Sequence, residues 1–189
     1  DPATLWDRVL QDIGLEWQVP YRQTLDLSGG IMWPDWFVGG RLDLVDNLVG
    51  KHARRNREKI AIRWEGDAGE CRSLSYGDLA DEVARVASGL LAIGMGAGDR
   101  LAIYLPMIPE AAVVMLAAAS IGVVSVPLFS GLSSDAVAGC LADAGATVLI
   151  CANSHDRRGQ SIRMLSDALS AASQCTSIRH VIVVERKSS

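Results

Sequence analysis

Residues 101–128 read LAIYLPMIPEAAVVMLAAASIGVVSVPL, and the change of texture along them decides the fold. LAIYL (101–105) is a continuous apolar run, the pattern of a strand buried on both faces. Pro109-Glu110 opens a helix. Proline fits a first turn, where its missing N–H costs nothing, and the acid meets the positive end of the helix dipole. The Ala-rich helix stops at Gly122, and Val-rich VVSVPL (123–128) is the next strand. The stretch Ala111–Phe129 carries no charge and could pass for a membrane span. Gly122 and Pro127 interrupt it, however, and its composition changes midway, so it reads as buried helix, glycine stop and buried strand.

The same alternation continues downstream. Ser133 caps a helix carrying Ala136, Val137, Cys140 and Leu141 that ends at Gly145. TVLIC (147–151) is a third strand, Ser161 starts a helix to about residue 172, and HVIVV (180–184) is a fourth strand. Strand starts at 101, 123, 147 and 181 leave room for a helical crossover each time. The expectation is an α/β fold: a doubly wound, Rossmann-like parallel sheet flanked by helices.

Upstream, Ile60, Ile62 and Trp64 alternate as a strand, EGDAGE (65–70) turns, and 71–74 returns as a hairpin partner at one edge. Ser75 with Asp78 forms a capping-box pattern for a helix that turns Leu79, Val83, Val86, Leu90 and Ile93 inward and stops at Gly94. A short amphipathic helix over 43–54 ends in Lys51, Arg54 and Arg55, which suit the negative helix terminus. Before it, Leu5, Trp6, Val9, Leu10 and Ile13 share one face of a helix over 4–13. Residues 14–41 hold so many Gly and Pro that regular elements are not expected, yet Trp17, Trp33 and Trp36 argue against a floppy linker. This is an arm laid against something, with some Trp expected open to solvent. The chain therefore divides into an irregular Trp-rich arm, 1–41, and an N-terminal α/β subdomain, 42–189.

With 189 residues, 49% hydrophobic and 21% charged, the chain can bury a core and is not a disordered segment. Its net charge of −4 argues against a general nucleic-acid or membrane-surface binder. Cys71, Cys140, Cys151 and Cys175 form no CxxC pair and, with three His in the chain, build no zinc site; no metal is expected. Scattered among apolar neighbours, they read as buried free thiols of a reducing compartment, which points to the cytoplasm. The chain starts at Asp1 with neither Met nor a signal-peptide pattern, so that residue reads as an artificial boundary.

In an open parallel sheet, ligands lie outside the carboxyl ends of the strands. Here those ends lead into Pro106–Ile108, Phe129–Leu132, Ala152–Gln160 and Glu185 onward. The third loop, ANSHDRRGQ, runs toward the helix expected at Ser161 and carries Arg157 and Arg158. Free amides, a positive dipole end and two guanidinium groups suit a phosphate. A solvated turn in which Arg157 pairs with Asp156 accounts for the same residues. Gly94, Gly96 and Gly98 follow a helix and precede a strand, so they are a connector at the wrong end of the sheet for a nucleotide. Neither GxxxxGK[ST] nor GxSxG occurs. Cys151 and His155 lie close in sequence, but a thiol at a buried strand end is ordinarily core. His52 and His180 read as ordinary helix-end and strand-start residues.

Residues 99–131 resemble the short-chain acyl-CoA synthetases of the adenylate-forming, AMP-binding family, acetyl-CoA synthetases among them. The segment PMIPEA (106–111) is the specific part. The resemblance reaches back through Ser75-Tyr76, Trp64-Glu65-Gly66-Asp67 and Gly39-Gly40-Arg41-Leu42 with Asn47. It runs forward through LADAGATVLI, Arg157–Ile162 and His180–Val184. It implies a ligase that uses ATP with Mg to join a small carboxylic acid to CoA through an acyl-adenylate. The family's phosphate loop, adenine motif, ribose-binding Asp and catalytic Lys have no counterpart here, and in such enzymes all lie downstream. The resemblance thus implies an N-terminal fragment that works with the remaining domains of its protein. Alone it is expected to be inactive, with no catalytic residue and no cofactor requirement of its own. It also implies part of the CoA surface. Phe129, Ser130 and Gly131 would lie beside the CoA adenine, and Arg157, Arg158, Gly159 and Gln160 would hold its phosphates. Ser130 stands where the family has glycine, and Gln160 where it has a second cation, whose charge Arg158 could supply. A stand-alone flavodoxin-like nucleotide- or phosphate-binding module, and a purely structural scaffold, remain open beside this reading.

Overall fold

In the computed structural model, which describes residues 1–67, 69–157 and 160–186, the first helix begins one residue into the chain. That helix, α1 (Pro2–Asp12), is capped by the Asp1 carboxylate, which accepts from the Ala3 amide at 3.1 Å. Residues 14–41 depart from expectation by holding two strands, β1 (Gln23–Asp26) and β2 (Asp35–Val38). They pair antiparallel with Leu25 opposite Trp36. The breakers fall at the ends of these strands and not within them: Gly29, Gly30 and Pro34 lie in the connection, Gly39 and Gly40 after β2. They shape the turns that the pairing needs. Trp17, Tyr21 and Phe37 gather with ring centroids 5.1 to 5.7 Å apart, and Trp6 meets Trp36 edge-on at 6.3 Å. Asp7 of α1 accepts from the Tyr21 hydroxyl at 2.7 Å and from Thr24 of β1 at 2.6 Å. Trp33, by contrast, is 77% exposed, as expected for an arm only partly covered.

A π-helical turn (Asp46–Gly50) runs into α2 (Lys51–Arg55). The Asn47 side chain accepts from the Glu16 amide and donates to the Glu16 carbonyl, both at 2.8 Å. Lys51 is not spread over the helix terminus as its position suggested. Its buried ammonium donates to the Gly14 carbonyl at 2.8 Å and to Asn47 Oδ1 at 3.2 Å. The chain resolves into two compact units, Asp1–Lys51 and His52–Ser189.

In the second unit β3 (Ile60–Glu65) and β4 (Cys71–Ser75) form the expected hairpin, and α3 (Tyr76–Ala92) opens on a reciprocal Ser75–Asp78 capping box. Then follow β5 (Arg100–Tyr104), α4 (Pro109–Ser120), β6 (Val124–Pro127), α5 (Ser134–Ala144) and β7 (Val148–Ala152). Here one helix starts later than expected: the one read as running from Ser161 to about residue 172 begins only at Leu165. Instead β8 (Ser154–Arg157) and β9 (Gln160–Arg163) pair antiparallel, and α6 starts at Leu165 (Leu165–Ser173) before β10 (His180–Val184).

The four main strands are parallel in the order β10-β7-β5-β6. From β5 the chain crosses to β6 on one side, and from β6 it returns past β5 to β7 on the other. With right-handed crossovers this puts α4 and α5 on opposite faces, α3 packing with α4 and α6 with α5. The sheet is doubly wound, with its switch point between β5 and β7. Leu101–Leu105 and Val148–Ala152 are buried throughout, which is why both read as unbroken apolar runs. Gly94, Gly96 and Gly98 lie in the connection into the amino end of β5, as expected of a connector. Of the thiols, Cys151 and Cys175 are buried, Cys140 is half-buried and Cys71 is exposed, so the expectation of buried cysteines fails at Cys71. No helix among the described residues is long and apolar enough to cross a membrane.

Candidate functional site at the carboxyl ends of the strands

Asn153 follows the last residue of β7, and three strand ends are tied together through it. Its side chain donates to the Arg186 carbonyl at 3.0 Å and accepts from the Arg186 amide at 2.8 Å, beyond the end of β10. Its own carbonyl accepts from the amides of Met164 and Leu165 at 3.1 and 3.2 Å. These two amides are thereby satisfied, and α6 begins at Leu165, so among the described residues no helix N-terminus stands at Ala152–Gln160 to hold a phosphate. What replaces that helix start is the β8–β9 hairpin, in which Arg157 and Gln160 are register partners. Arg158 and Gly159 lie outside the described residues, and of Arg157 and Gln160 the described part is the backbone.

The loop after β6 is a tight turn over Phe129–Leu132, closed by the Leu132 amide on the Phe129 carbonyl at 3.1 Å. Leu128 holds its base through the Ile103 carbonyl at 2.9 Å. The amides of Ser130 and Gly131 have no partner among the described residues, so two N–H donors are offered at a strand end. A Cβ at Gly131 would lie 2.6 Å from the Phe129 ring, so the bare glycine lets that ring fold over the turn. Phe129 is itself 66% exposed.

Beside this turn is a cavity of about 340 Å³. Trp64 and Asp67 of the β3–β4 hairpin, Met107 after β5, Phe129 and Ser130, His155 of β8 and Arg186 line it. The hairpin is held over the strand ends by three contacts. Trp64 Nε1 donates to the Met107 carbonyl at 2.6 Å, Arg72 pairs with Glu110 of α4, and Arg186 lies 3.4 Å from Glu70. The expected residues Phe129 and Ser130 therefore share one cavity with His155, which is two residues before Arg157 in β8. Nothing local in the sequence marks Trp64, Asp67, Met107 and Arg186 as site residues. Forty-three positions separate Trp64 from Met107, and no local pattern announces that the hairpin folds onto the sheet.

Burial disfavours nucleophilic chemistry at Cys151. Burial alone pushes its thiol up to about 11, the opposite of an activated cysteine. Tyr104, opposite Cys151 in the β5–β7 register, is also raised, first by burial and then by Asp167. Among the described residues no group of three or more His, Cys, Asp or Glu gathers to hold a metal ion. The arrangement offers hydrogen-bond donors and an exposed aromatic ring to a ligand, with Arg186, paired with Glu70, in the cavity wall.

Comparison with known proteins bears on which ligand. The family model described as "AMP-binding enzyme" matches residues 49–189, and one described as "Acetyl-coenzyme A synthetase N-terminus" matches residues 1–48. Among curated proteins, the acetyl-coenzyme A synthetase of Mycolicibacterium smegmatis is 38% identical over 98% of this chain and 20% of its own length. That of Salmonella typhi is 40% identical over 98% of this chain and 29% of its own. The 3-hydroxypropionyl-coenzyme A synthetase of Metallosphaera sedula is 35% identical, with 98% and 28% covered. The chain thus spans between a fifth and three tenths of the length of these relatives. Among solved structures, an acetoacetyl-CoA synthetase from Streptomyces lividans superposes with a TM-score of 0.87 at 22% identity over 99% of this chain and 29% of that one, which bears on the fold alone.

Proposed function

The chain belongs to the family of AMP-binding enzymes, and from that premise we propose that it is the N-terminal portion of an acyl-CoA synthetase. The parent would activate a carboxylic acid with ATP as an acyl-adenylate and pass the acyl group to CoA. The observation that carries the reading is a coincidence of place. The Phe129-Ser130-Gly131 turn, where the family resemblance puts the CoA adenine, borders the cavity at the carboxyl ends of the sheet.

The residues present fit the adenine end of CoA. The Ser130 and Gly131 amides supply donors for ring or phosphate acceptors, and the Phe129 ring supplies an apolar face. The family resemblance would give Arg157, Arg158, Gly159 and Gln160 the phosphates, the guanidinium groups supplying the charge. Arg186, paired with Glu70, also lines the cavity. For ATP the described residues fit nothing: no glycine-rich phosphate loop ending in Lys is present, so ATP and its Mg belong to segments outside this chain. Accordingly the chain by itself binds CoA weakly and catalyses neither half-reaction.

Titration of the purified 189-residue chain with CoA is expected to give weak but saturable binding, and Arg157→Ala to weaken it about fivefold or more, as loss of a charge-assisted phosphate contact should. In the full-length parent the same substitution should raise the CoA requirement more than the ATP requirement. Carboxylate-dependent pyrophosphate exchange by the chain alone, above a blank, would overturn the inactivity. A co-purifying flavin or free nucleotide would favour instead a stand-alone module, for which the β10-β7-β5-β6 strand order is also suited.

A further inference from the structure

We propose that the Tyr104 hydroxyl is a positioning group that fixes the Phe129–Leu132 turn and aims the Gly131 amide outward at the ligand; its coenzyme role rests on the function proposed above. Tyr104 is the last residue of β5, the strand beside the switch point, and is 1% exposed. Burying a tyrosine there is costly unless its hydroxyl finds a partner. The partners are both in the turn: the Leu132 carbonyl at 3.0 Å and the Ser130 carbonyl at 3.4 Å. Having one proton, the hydroxyl donates to Leu132, with Ser130 the longer alternative acceptor.

The consequence follows from peptide geometry. The Ser130 carbonyl and the Gly131 N–H belong to one trans peptide plane and point in opposite directions. The Ser130 carbonyl faces the Tyr104 hydroxyl at 3.4 Å while that hydroxyl holds the turn through Leu132, so the Gly131 N–H of the same plane faces away from Tyr104. This amide has no partner among the described residues, so it is available to an acceptor on a bound molecule. Glycine gives the backbone the widest conformational choice, and a turn containing Gly131 would otherwise sample other orientations of the same plane. The Leu132–Phe129 backbone bond closes the turn but does not attach it to the sheet. Among the described residues, Tyr104 is the side chain that makes that attachment. A phenylalanine would fill the same space without it. Because burial raises the hydroxyl's pKa, it remains a proton donor throughout the neutral range.

The test is Tyr104→Phe in the 189-residue chain, with thermal unfolding as the check that the fold is kept. Two readouts are taken: hydrogen exchange at the Leu132 amide and the Kd for CoA. Exchange at Leu132 is expected to accelerate about tenfold while amides elsewhere in β5 and β7 stay protected, and the Kd to rise about five- to tenfold, the worth of one hydrogen bond. Arg157→Ala is the counterpart: it should raise the Kd while leaving exchange at Leu132 as it was. Unchanged exchange in Tyr104→Phe overturns the inference, as does accelerated exchange with an unchanged Kd. If the unmutated chain shows no saturable CoA signal, the functional reading of the turn fails first. If it binds CoA and Tyr104→Phe binds equally well, the inference alone fails.

Discussion

Cys151 and Cys71 carry the same thiol into opposite environments. Cys151 lies in the buried run of β7, where loss of solvent raises its pKa from 9.0 to about 11, whereas Cys71 opens β4 on the surface. A thiol reagent at pH 8 should therefore modify Cys71 quickly and Cys151 only after unfolding, as read by mass spectrometry of timed quenches. The linkage has a sign. A folded-state pKa above the unfolded one means that the contribution of Cys151 is intact below pH 9.0 and is lost as pH rises toward 11. Chemical denaturation at pH 8 and at pH 10.5 should show lower stability at the higher value, and Cys151→Ala should reduce that difference.

At the scale of elements, the clearest local determinant is the start of α3. The Ser75 hydroxyl accepts from the Asp78 amide at 3.1 Å, and Asp78 accepts in return from the Ser75 amide, also at 3.1 Å. Ser75→Ala is expected to cost about 1 kcal/mol, measured by denaturant unfolding. The Ser75 hydrogen bonds hold the Asp78 carboxyl below its usual 3.8. That contribution is complete above pH 3.8 and disappears as pH falls through the lowered value, so the Ser75→Ala deficit should narrow in acid. The end of α5 depends on backbone shape instead. Gly145 takes φ 60° and ψ 39°, and a Cβ there would meet an Arg100 guanidinium nitrogen at 3.0 Å. Gly145→Ala should lower stability by about 1 kcal/mol, detectable as a drop in Tm.

Across the whole molecule the net charge of −4 is not shared. Asp1–Lys51 carries eight carboxylates against four Lys and Arg, while His52–Ser189 has fourteen of each. The first unit is therefore both the acidic part and the aromatic part. Four of its residues, Leu27, Ile31, Met32 and Trp33, are exposed around the connection between β1 and β2. A cationic quencher such as caesium should reach Trp33 more effectively than iodide at low salt, and added salt should bring the two together. Trp33→Phe should remove the most quenchable part of the emission. Equal quenching by both ions would show that the charge of this unit is not felt at its exposed indole.

By itself the sequence determined the parts of this protein whose signal is local. LAIYL, VVSVPL, TVLIC and HVIVV could be read as strands because a parallel strand covered on both faces must be apolar along its whole length. Ser75, Pro109, Ser133 and Gly145 marked helix ends because orphan amides and carbonyls need specific residues near them in the chain. Family membership was legible for a related reason, since PMIPEA is a contiguous string. The tertiary structure alone decided what depends on distant partners. SHDR and QSIR show no apolar alternation in sequence, so only their mutual pairing makes them strands ahead of the helix. TLD and WFV, among glycines and prolines, become strands for the same reason. The cavity exists because Trp64 reaches the Met107 carbonyl, and the turn beside it is fixed because Tyr104 reaches Leu132. Apolar periodicity records which face is buried, but not which backbone carbonyl a buried hydroxyl or indole will find once the chain has closed.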